Sequence, residues 1–199
     1  MSRIIGCQQL HIAEVTKDDV TGTEFGTVTP VPSLMSIDIQ DNKENVTFYS
    51  DDQVEQVINS FSGKEVTITL GYLSSEIESK ISGNKYEKGV FIQNANATAK
   101  EHAIMFRAPL SKGGFQYVCL YKGVLARKET NYKGKEESVE GQTVTLEGVF
   151  MPLLSNGDVA IKANTTDDGA QALIKSWFTK VPLIEPSEVS AAQTQSLKK

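Results

Sequence analysis

The sequence has few of the residues that build catalytic or metal sites. It contains two cysteines and two histidines in 199 residues. His11 and His102 each stand in a strand-like pattern, outside any H-x-H, H-E-x-x-H or C-x-x-C arrangement, which argues against a zinc site. A G-x-S-x-G elbow and a glycine-rich phosphate loop are also missing. The sequence therefore predicts a protein that is not an enzyme and needs no cofactor or metal.

Long apolar segments are absent as well. No run approaches the ~20 apolar residues that cross a bilayer, and the first residues, MSRIIGCQQLHIAEV, lack the apolar core and cleavage site of a secretory signal. We therefore expect a protein made in the cytoplasm, with no membrane partner. Cys119 lies in an apolar strand pattern far from Cys7, so we expect reduced thiols, with a disulfide as the alternative.

Basic residues are scarce in the first third of the chain. Residues 1–63 hold three basic and ten acidic side chains, whereas residues 64–199 hold seventeen basic and fifteen acidic ones. Tight nucleic-acid binding needs clustered lysine and arginine. The charge distribution therefore argues against tight DNA binding as the function of this protein.

The sequence does contain many short segments with β-branched residues and near alternation, separated by Gly, Asp, Asn and Pro. Turn residues at Asp41-Asn42, Ser62-Gly63 and Gly113-Gly114 predict hairpins, because these residues accept positive φ at little cost. We predict strands at 9–16, 24–30, 33–41, 44–50, 53–61, 64–72, 89–94, 102–110, 115–126, 142–151 and 157–163. The fold class is mainly β, a sandwich or barrel with peripheral helices.

Two segments carry helix signals. Residues Ser75 to Glu78 form a capping box, and Gly83 is placed to end that helix. A second helix, at 168–179 with Asp168 as its cap, has one apolar face that we expect to dock on a sheet. That face consists of Leu173, Ile174, Trp177 and Phe178, and ligand binding by the tryptophan is the alternative. Apolar content falls after residue 181, so we predict one domain, 1–181, and a C-terminal tail, 182–199.

Four short motifs occur along the chain: T-K-D-D at 16–19, F-Y-S-D-D at 48–52, Y-x-C-L-Y-K-G at 117–123 and S-W-F-T-K-V at 176–181. In this order and at these intervals they resemble the major tail protein, or tail tube protein, of long non-contractile-tailed phages of Gram-positive bacteria. The resemblance covers roughly residues 5 to 182. Cys119 is a departure, since similar proteins often carry an aromatic residue there.

The resemblance implies a β-sandwich or split barrel of the tail-tube type with one or two flanking helices. In that family six copies form a ring, and stacked rings form the tube in the virion tail through which DNA passes without specific binding. Tape-measure, tail terminator and baseplate proteins are the further partners that it implies. A β-sandwich binding or decoration module of a phage particle is the alternative function, and a small hydrolase would need residues that the sequence lacks.

Acidic residues are expected to line such a tube, because a basic lining would hold the DNA phosphates whereas like charge lets the duplex slide. The run of consecutive hairpins predicted between residues 33 and 72 is the natural candidate for the inner sheet. It supplies four candidate lumen-facing acids: Asp38, Glu44, Glu55 and Glu65. The alternative is that these are ordinary solvated positions on the outside of a sandwich.

A charged segment separates two predicted core strands. Residues 127–141 carry four basic and four acidic side chains, namely Arg127, Lys128, Lys133, Lys135, Glu129, Glu136, Glu137 and Glu140. Structureless connections of this length are uncommon in compact domains and are often functional. Because balanced charges can pair with a copy of the same protein, this segment is a candidate subunit contact within a ring or between rings. A solvated hairpin tip is the alternative.

Overall fold

The computed structural model describes residues 2–50, 53–128, 142–167 and 169–184, and only the backbone of 44–50 and 53–60. Within them the chain is mainly β, as predicted. The strands are β1 Gln8–Asp19, β2 Gly22–Phe25, β3 Thr29–Val31, β4 Leu34–Ser50, β5 Gln53–Leu70, β6 Lys85–Glu87, β7 Val90–Ile92, β8 Glu101–Pro109, β9 Phe115–Arg127, β10 Val144–Met151 and β11 Ala160–Asn164. The helices are α1 Ser75–Ser82 and α2 Gln171–Ser176.

Nine of these strands form one antiparallel sheet in the order β2-β1-β8-β9-β10-β5-β4, with β3 beside β1 and β11 beside β9. The sheet curves back on itself. Cys7, just before β1, places its thiol 3.5 Å from the carbonyl oxygen of Met35 in β4, although four strands separate β1 from β4. The right-handed twist of strands and the register shifts within them produce such curvature. β6 and β7 form a separate hairpin.

Apolar cores lie on both faces of this sheet. The first is built from β1, β5, β8, β9 and β10 and is closed by Ile77 and Ile81 of α1. The second lies on the opposite face of β1, β8 and β9 and is covered by the segment that follows α2, with Trp177 fully buried. Side chains alternate between the two cores along a strand. For this reason the central strands read as almost continuous apolar runs.

Two predicted turns, Asp41-Asn42 and Ser62-Gly63, are wrong. β4 and β5 run without interruption through both positions and form one long hairpin, in which Asn42 pairs with Gly63 beside a register shift. Gly63 has a φ of +146°, and any Cβ there would collide with the carbonyl oxygen of Phe150. A residue type typical of turns therefore serves here as a bulge that lets β5 pass close to β10.

The other corrections concern short elements. The predicted strand 24–30 is two strands, β2 and β3, which pair with different parts of β1. The sequence pattern gives no signal for β6, which has three exposed residues. α2 has six residues instead of twelve, so Trp177 and Phe178 lie just beyond its end. Asp168 and most of the predicted tail, 185–199, lie outside the described residues.

Helix α1 confirms one predicted boundary and corrects the other. Its cap is Ser74, whose Oγ accepts a hydrogen bond from the backbone N–H of Ile77 at 3.3 Å, so the capping box that begins at Ser75 is one residue too late. Gly83 ends the helix with a φ of +71°, as predicted. The cap matters for the core because it fixes the start of the helix that carries Ile77 and Ile81.

Candidate assembly surface

Two of the four predicted lumen acids, Asp38 and Glu65, lie on one exposed face of the β4–β5 hairpin. Alternation turns Ile37 and Val66 toward the first core and leaves both acids on the opposite side. Across the pair, Asp38 lies beside Thr67 and Glu65 lies beside Gln40. β10 extends the same side, with Glu147 next to Thr67 and Val149 next to Glu65. We call this surface the outer face, and it comprises Asp38, Gln40, Glu65, Thr67, Glu147 and Val149.

The unpaired charge on the outer face is negative. Asp38 and Glu65 make no ion pair with any described residue. Glu147 pairs with Lys128 at 2.6 Å. At the rim, hydrogen bonds from Lys64 and then Lys43 lower the pKa of Asp41 to about 2, so this carboxylate stays ionised and paired. The face therefore presents a negative potential to whatever lies in front of it.

The other two predicted acids, Glu44 and Glu55, belong to the distal half of the same hairpin. Glu44 pairs through its backbone with Ser60, and Glu55 falls at a register shift between the partners of Phe48 and Tyr49. Their side chains are not among the described parts of the chain. Only their place on the strands is established.

The backbone of this hairpin is the most extensive open edge in the described residues. Among the described strands, β4 is the terminal strand of the sheet and pairs only with β5. β10 joins β5 only from Lys64 to Leu70, so beyond Phe61 the two strands pair with each other and with no third strand that the structure describes. Such an edge offers a row of N–H and C=O groups to which another strand can add.

The charged segment is described only at its start. Arg127 ends β9, and its Nη1 lies 3.3 Å from a carboxylate oxygen of Glu78 in α1. Lys128 donates a backbone hydrogen bond to the carbonyl oxygen of Thr145 in addition to its ion pair with Glu147. Both cations therefore have partners inside the chain. The remaining candidate contact residues, Glu129, Lys133, Lys135, Glu136, Glu137 and Glu140, lie outside the described residues.

The apolar face predicted near the C-terminus lies against the second core. Trp177 is fully buried and its ring centroid is 5.6 Å from that of Tyr117. Phe178 stacks on His11 with centroids 4.4 Å apart and an interplanar angle of 23°. Leu173 and Ile174 pack against the same core while partly exposed. The structure gives these residues a packing role.

The ion pair of Asp18 and Lys122 is a buried cluster that the sequence analysis did not predict. The Asp18 carboxylate accepts hydrogen bonds from Lys122 Nζ at 2.9 Å, from Thr23 Oγ1 at 2.9 Å and from the backbone N–H of Leu154 at 3.1 Å. Its side chain is 3% exposed, and that of the lysine is 12% exposed. Glu101 lies 3.6 Å from the same ammonium group. The cluster ties β1, β2, β9 and the segment after β10 together.

Electrostatics keep this cluster ionised. Desolvation raises the pKa of Asp18, but the hydrogen bonds from Lys122, Leu154 and Thr23 together outweigh it, and the net pKa is lowered. The hydrogen bond to Asp18 is the main reason that the pKa of Lys122 is raised. Both partners belong to motifs, T-K-D-D and Y-x-C-L-Y-K-G, and this co-occurrence was the one available signal of their contact. Since each group is already paired, the cluster holds the fold together and leaves no free nucleophile.

Both histidines have partners in the backbone. His11 Nδ1 lies 3.0 Å from the Gln9 carbonyl oxygen, and His102 Nδ1 lies 3.0 Å from that of Lys100. Burial lowers the pKa of His102 and raises the pKa of the Cys119 thiol. Both cysteines are free, as expected. Within the described ranges no group of three His, Cys, Asp or Glu side chains could hold a metal, and no helix is long and apolar enough to cross a membrane.

Comparison of the chain with models of known protein families finds no match, and a search of curated proteins finds none either. The function is therefore inferred from the open edge, the outer face and the motif resemblance.

Proposed function

We propose that this chain is the repeating subunit of a phage tail tube, which assembles into stacked hexameric rings and acts by self-association, without catalysis. The observation that carries the proposal is the open edge of β4 together with the protruding half of the β4–β5 hairpin. The resemblance of the four motifs supplies the hexameric ring and the DNA that passes through it.

The protruding hairpin is too long to be explained by the needs of the single subunit. From Lys43 to Ser50 it extends roughly 26 Å beyond the sheet at about 3.3 Å per residue. An isolated two-stranded hairpin is only marginally stable in water, and a long open edge invites aggregation. Pairing with neighbouring copies in a closed ring satisfies both strands and removes the edge. A second copy of the chain is therefore the partner that this feature fits.

The charge of the outer face agrees with the same assembly. If the sheets of six copies join edge to edge at β4, the outer face of each copy forms part of one continuous curved surface. Asp38 and Glu65 would place unpaired negative charge on that surface, and a lining of this sign lets a DNA duplex slide. We propose that this surface is the lumen, with Glu44 and Glu55 further along the same hairpin.

A second function, a binding or decoration module of a phage particle, is favoured by one observation. Within the described ranges, β6 and β7 pair only with each other, and they expose Tyr86, Val90 and Ile92 to solvent. Exposed apolar side chains on one small element are typical of binding sites. A module of this kind would bind to an assembled particle and would not polymerise.

Electron microscopy of the purified protein separates the two functions. We expect rings or tubes of uniform width with a central channel, formed at high protein concentration without any other phage component. Sedimentation of the same samples should show the monomer in equilibrium with large assemblies. Protein that stays strictly monomeric at every concentration contradicts the tail-tube proposal and favours the decoration module.

A further inference from the structure

Three side chains with the chemistry to form an amide bond meet near the end of β1. Asp18, Glu101 and Lys122 come from β1, β8 and β9, and β8 lies between the other two strands. The Nζ atom of Lys122 lies 2.9 Å from a carboxylate oxygen of Asp18 and 3.6 Å from one of Glu101. A primary amine is therefore in contact with one carboxyl group and has a second carboxyl group beside it.

An ion pair alone explains only part of this arrangement. Neutralising the Lys122 ammonium takes one carboxylate, and Asp18 supplies it with a side chain that is 3% exposed. Glu101 adds a second negative charge, and Lys122 is the only ion-pair partner that the described residues offer it. Condensation of an amine with a carboxyl group requires such a second carboxylate, since some group must take protons from the nitrogen and deliver them to the leaving oxygen.

We propose that Lys122 and Asp18 condense to form an amide bond within the chain, with Glu101 carrying the protons. This crosslink is independent of the tail-tube function. The lone pair of Nζ attacks Cγ of Asp18, the C–N bond forms, and one C–O bond breaks. The two protons that the Lys122 ammonium loses leave with the Asp18 oxygen as one water molecule. An ammonium and a carboxylate thus give a neutral amide and water, and no other reactant is consumed.

The ion pair is the unreacted state, because a protonated amine is not a nucleophile. Burial raises the pKa of Asp18 and opposes the rise in the pKa of Lys122, so it favours the neutral pair, whereas the hydrogen bonds keep the ionised pair in excess. The freshly folded chain therefore carries the ion pair, in which Asp18 titrates. The amide forms from the minor neutral pair and accumulates, because its reversal needs water to attack a buried bond.

The other contacts of Asp18 suit the transition state of this reaction. Its Oδ1 accepts hydrogen bonds from Thr23 Oγ1 at 2.9 Å and from the backbone N–H of Leu154 at 3.1 Å, while Oδ2 faces Lys122. When the nitrogen adds to Cγ, negative charge builds on the oxygen that stays, and these two donors stabilise it. The fold also holds the amine against the carboxyl group, which replaces a bimolecular encounter by contact within one molecule.

Mass spectrometry of the intact wild-type chain tests the crosslink. Protein purified soon after synthesis should have the full mass, and during storage at neutral pH most molecules should lose the mass of one water molecule. After trypsin digestion of the stored protein, residues 18–43 should stay joined to residues 113–127, because trypsin cannot cleave after an acylated Lys122. The stored protein should also unfold at a higher temperature, since the new bond joins residues 104 positions apart and restricts the unfolded chain.

Substitutions assign the role of each group. Lys122→Arg keeps a cation beside Asp18 but has no primary amine, so it should retain its full mass under the same storage. Glu101→Gln removes the proton carrier and should slow the loss of water about a hundredfold. Glu14→Gln is the matched control and should react like the wild type, because Glu14 is a carboxylate of similar exposure that pairs with Lys100 instead. Thermal unfolding of the fresh proteins checks that each variant folds.

The outcomes separate the crosslink from the ion pair. Full mass in every wild-type sample, fresh or stored, overturns the crosslink and leaves the tail-tube proposal standing. A loss of water that persists in Lys122→Arg also overturns it, since an aspartate elsewhere would then have cyclised to a succinimide. Equal rates in Glu101→Gln and the wild type overturn the role of Glu101.

Discussion

Individual side chains show how far residue-level prediction reaches in this protein. The burial of Trp177 follows from its place in an apolar pattern of helical spacing. The ion pair of Asp18 and Lys122 could not be predicted in the same way, because 104 residues separate the partners and their two motifs do not indicate which strands lie side by side. Local periodicity specifies which residues face inward, whereas the topology of the sheet decides which of them meet.

Replacing Asp18 with Asn should destabilise the fold by about 3 kcal/mol near neutral pH. The substitution removes the negative charge and leaves the buried Lys122 ammonium with only the more distant Glu101. Urea-induced unfolding measures the change. Asp19→Asn is the matched control, because the Asp19 side chain is 49% exposed and should contribute far less. Equal stability of the Asp18→Asn variant and the wild type would show that the cluster does not tie the strands together.

The difference in stability between the wild type and the Asp18→Asn variant should depend on pH, and the direction of that dependence follows from the pKa of Asp18. The folded pKa of Asp18 lies below its ordinary value of 3.8, so its stabilising contribution is complete above that value and is lost as the pH falls through the folded pKa. The stability difference between wild type and Asp18→Asn should therefore be constant above about pH 5 and should shrink below pH 4. Other acids with lowered pKa values are common to both proteins and cancel. A difference that stays constant down to pH 2 would contradict the assigned shift.

At the scale of elements, the sequence pattern and the structure disagree most in the long hairpin formed by β4 and β5. Its strand segments are predicted in the right places, but Asn42 and Gly63 are turn-forming residue types, and the pattern breaks each strand there. The neighbouring β10 decides the outcome, because Gly63 has to pass against the Phe150 backbone. β6 lacks a clear signal for a different reason, whereas β7 falls within the predicted strand 89–94. A three-residue strand whose side chains are all exposed has no alternation to detect.

Shortening the long hairpin should separate folding from assembly. We would replace residues 44–60 by an Asn-Gly turn between Lys43 and Phe61. Since the distal half pairs with no third described strand, the melting temperature should change by no more than about 2–4 °C, equivalent to about 1 kcal/mol in a chain of this size. Assembly into tubes should be lost. The reference is a chain in which Lys88-Gly89 is replaced by the same Asn-Gly turn. Tubes of normal width from the shortened chain would contradict a role for the hairpin in self-association.

At the scale of the whole molecule, composition shows which part of the chain is acidic, and topology determines where that part lies. Residues 1–63 carry all of the excess negative charge. The structure places β4 and the first part of β5 from this segment at one end of the sheet, with Asp38 on the outer face beside Glu65 from the second part of β5. The acidic character of this region was visible in composition alone. The position of Asp38 and Glu65 on one face of the hairpin was not, because the face of a strand depends on register, and the register changes at the bulge beside Gly63.

Reversing the charge of this surface should affect transport and leave assembly intact. Asp38→Lys, Glu55→Lys and Glu65→Lys combined in one virion-incorporated chain should give tubes of normal length but slower DNA ejection, because added lysines attract the phosphates. The matched control places the same three charge changes at Glu24, Glu76 and Glu87, away from the outer face. Ejection kinetics indistinguishable from the wild type would remove the lumen assignment.

The pairing of β1 with β8 also constrains when the sheet can form while the chain is being synthesised. β1 is among the first residues to leave the ribosome, yet its central partner ends at Pro109, and the second core is sealed only by Trp177. Long-range pairing of this kind folds slowly, because the intervening chain must be ordered before the contact contributes. β2 and β3 can pair with one edge of β1 early, but the edge that faces β8 stays unpaired through about half of translation. The seam between β1 and β4, and with it any surface that a neighbouring copy could recognise, forms only after β8 has emerged.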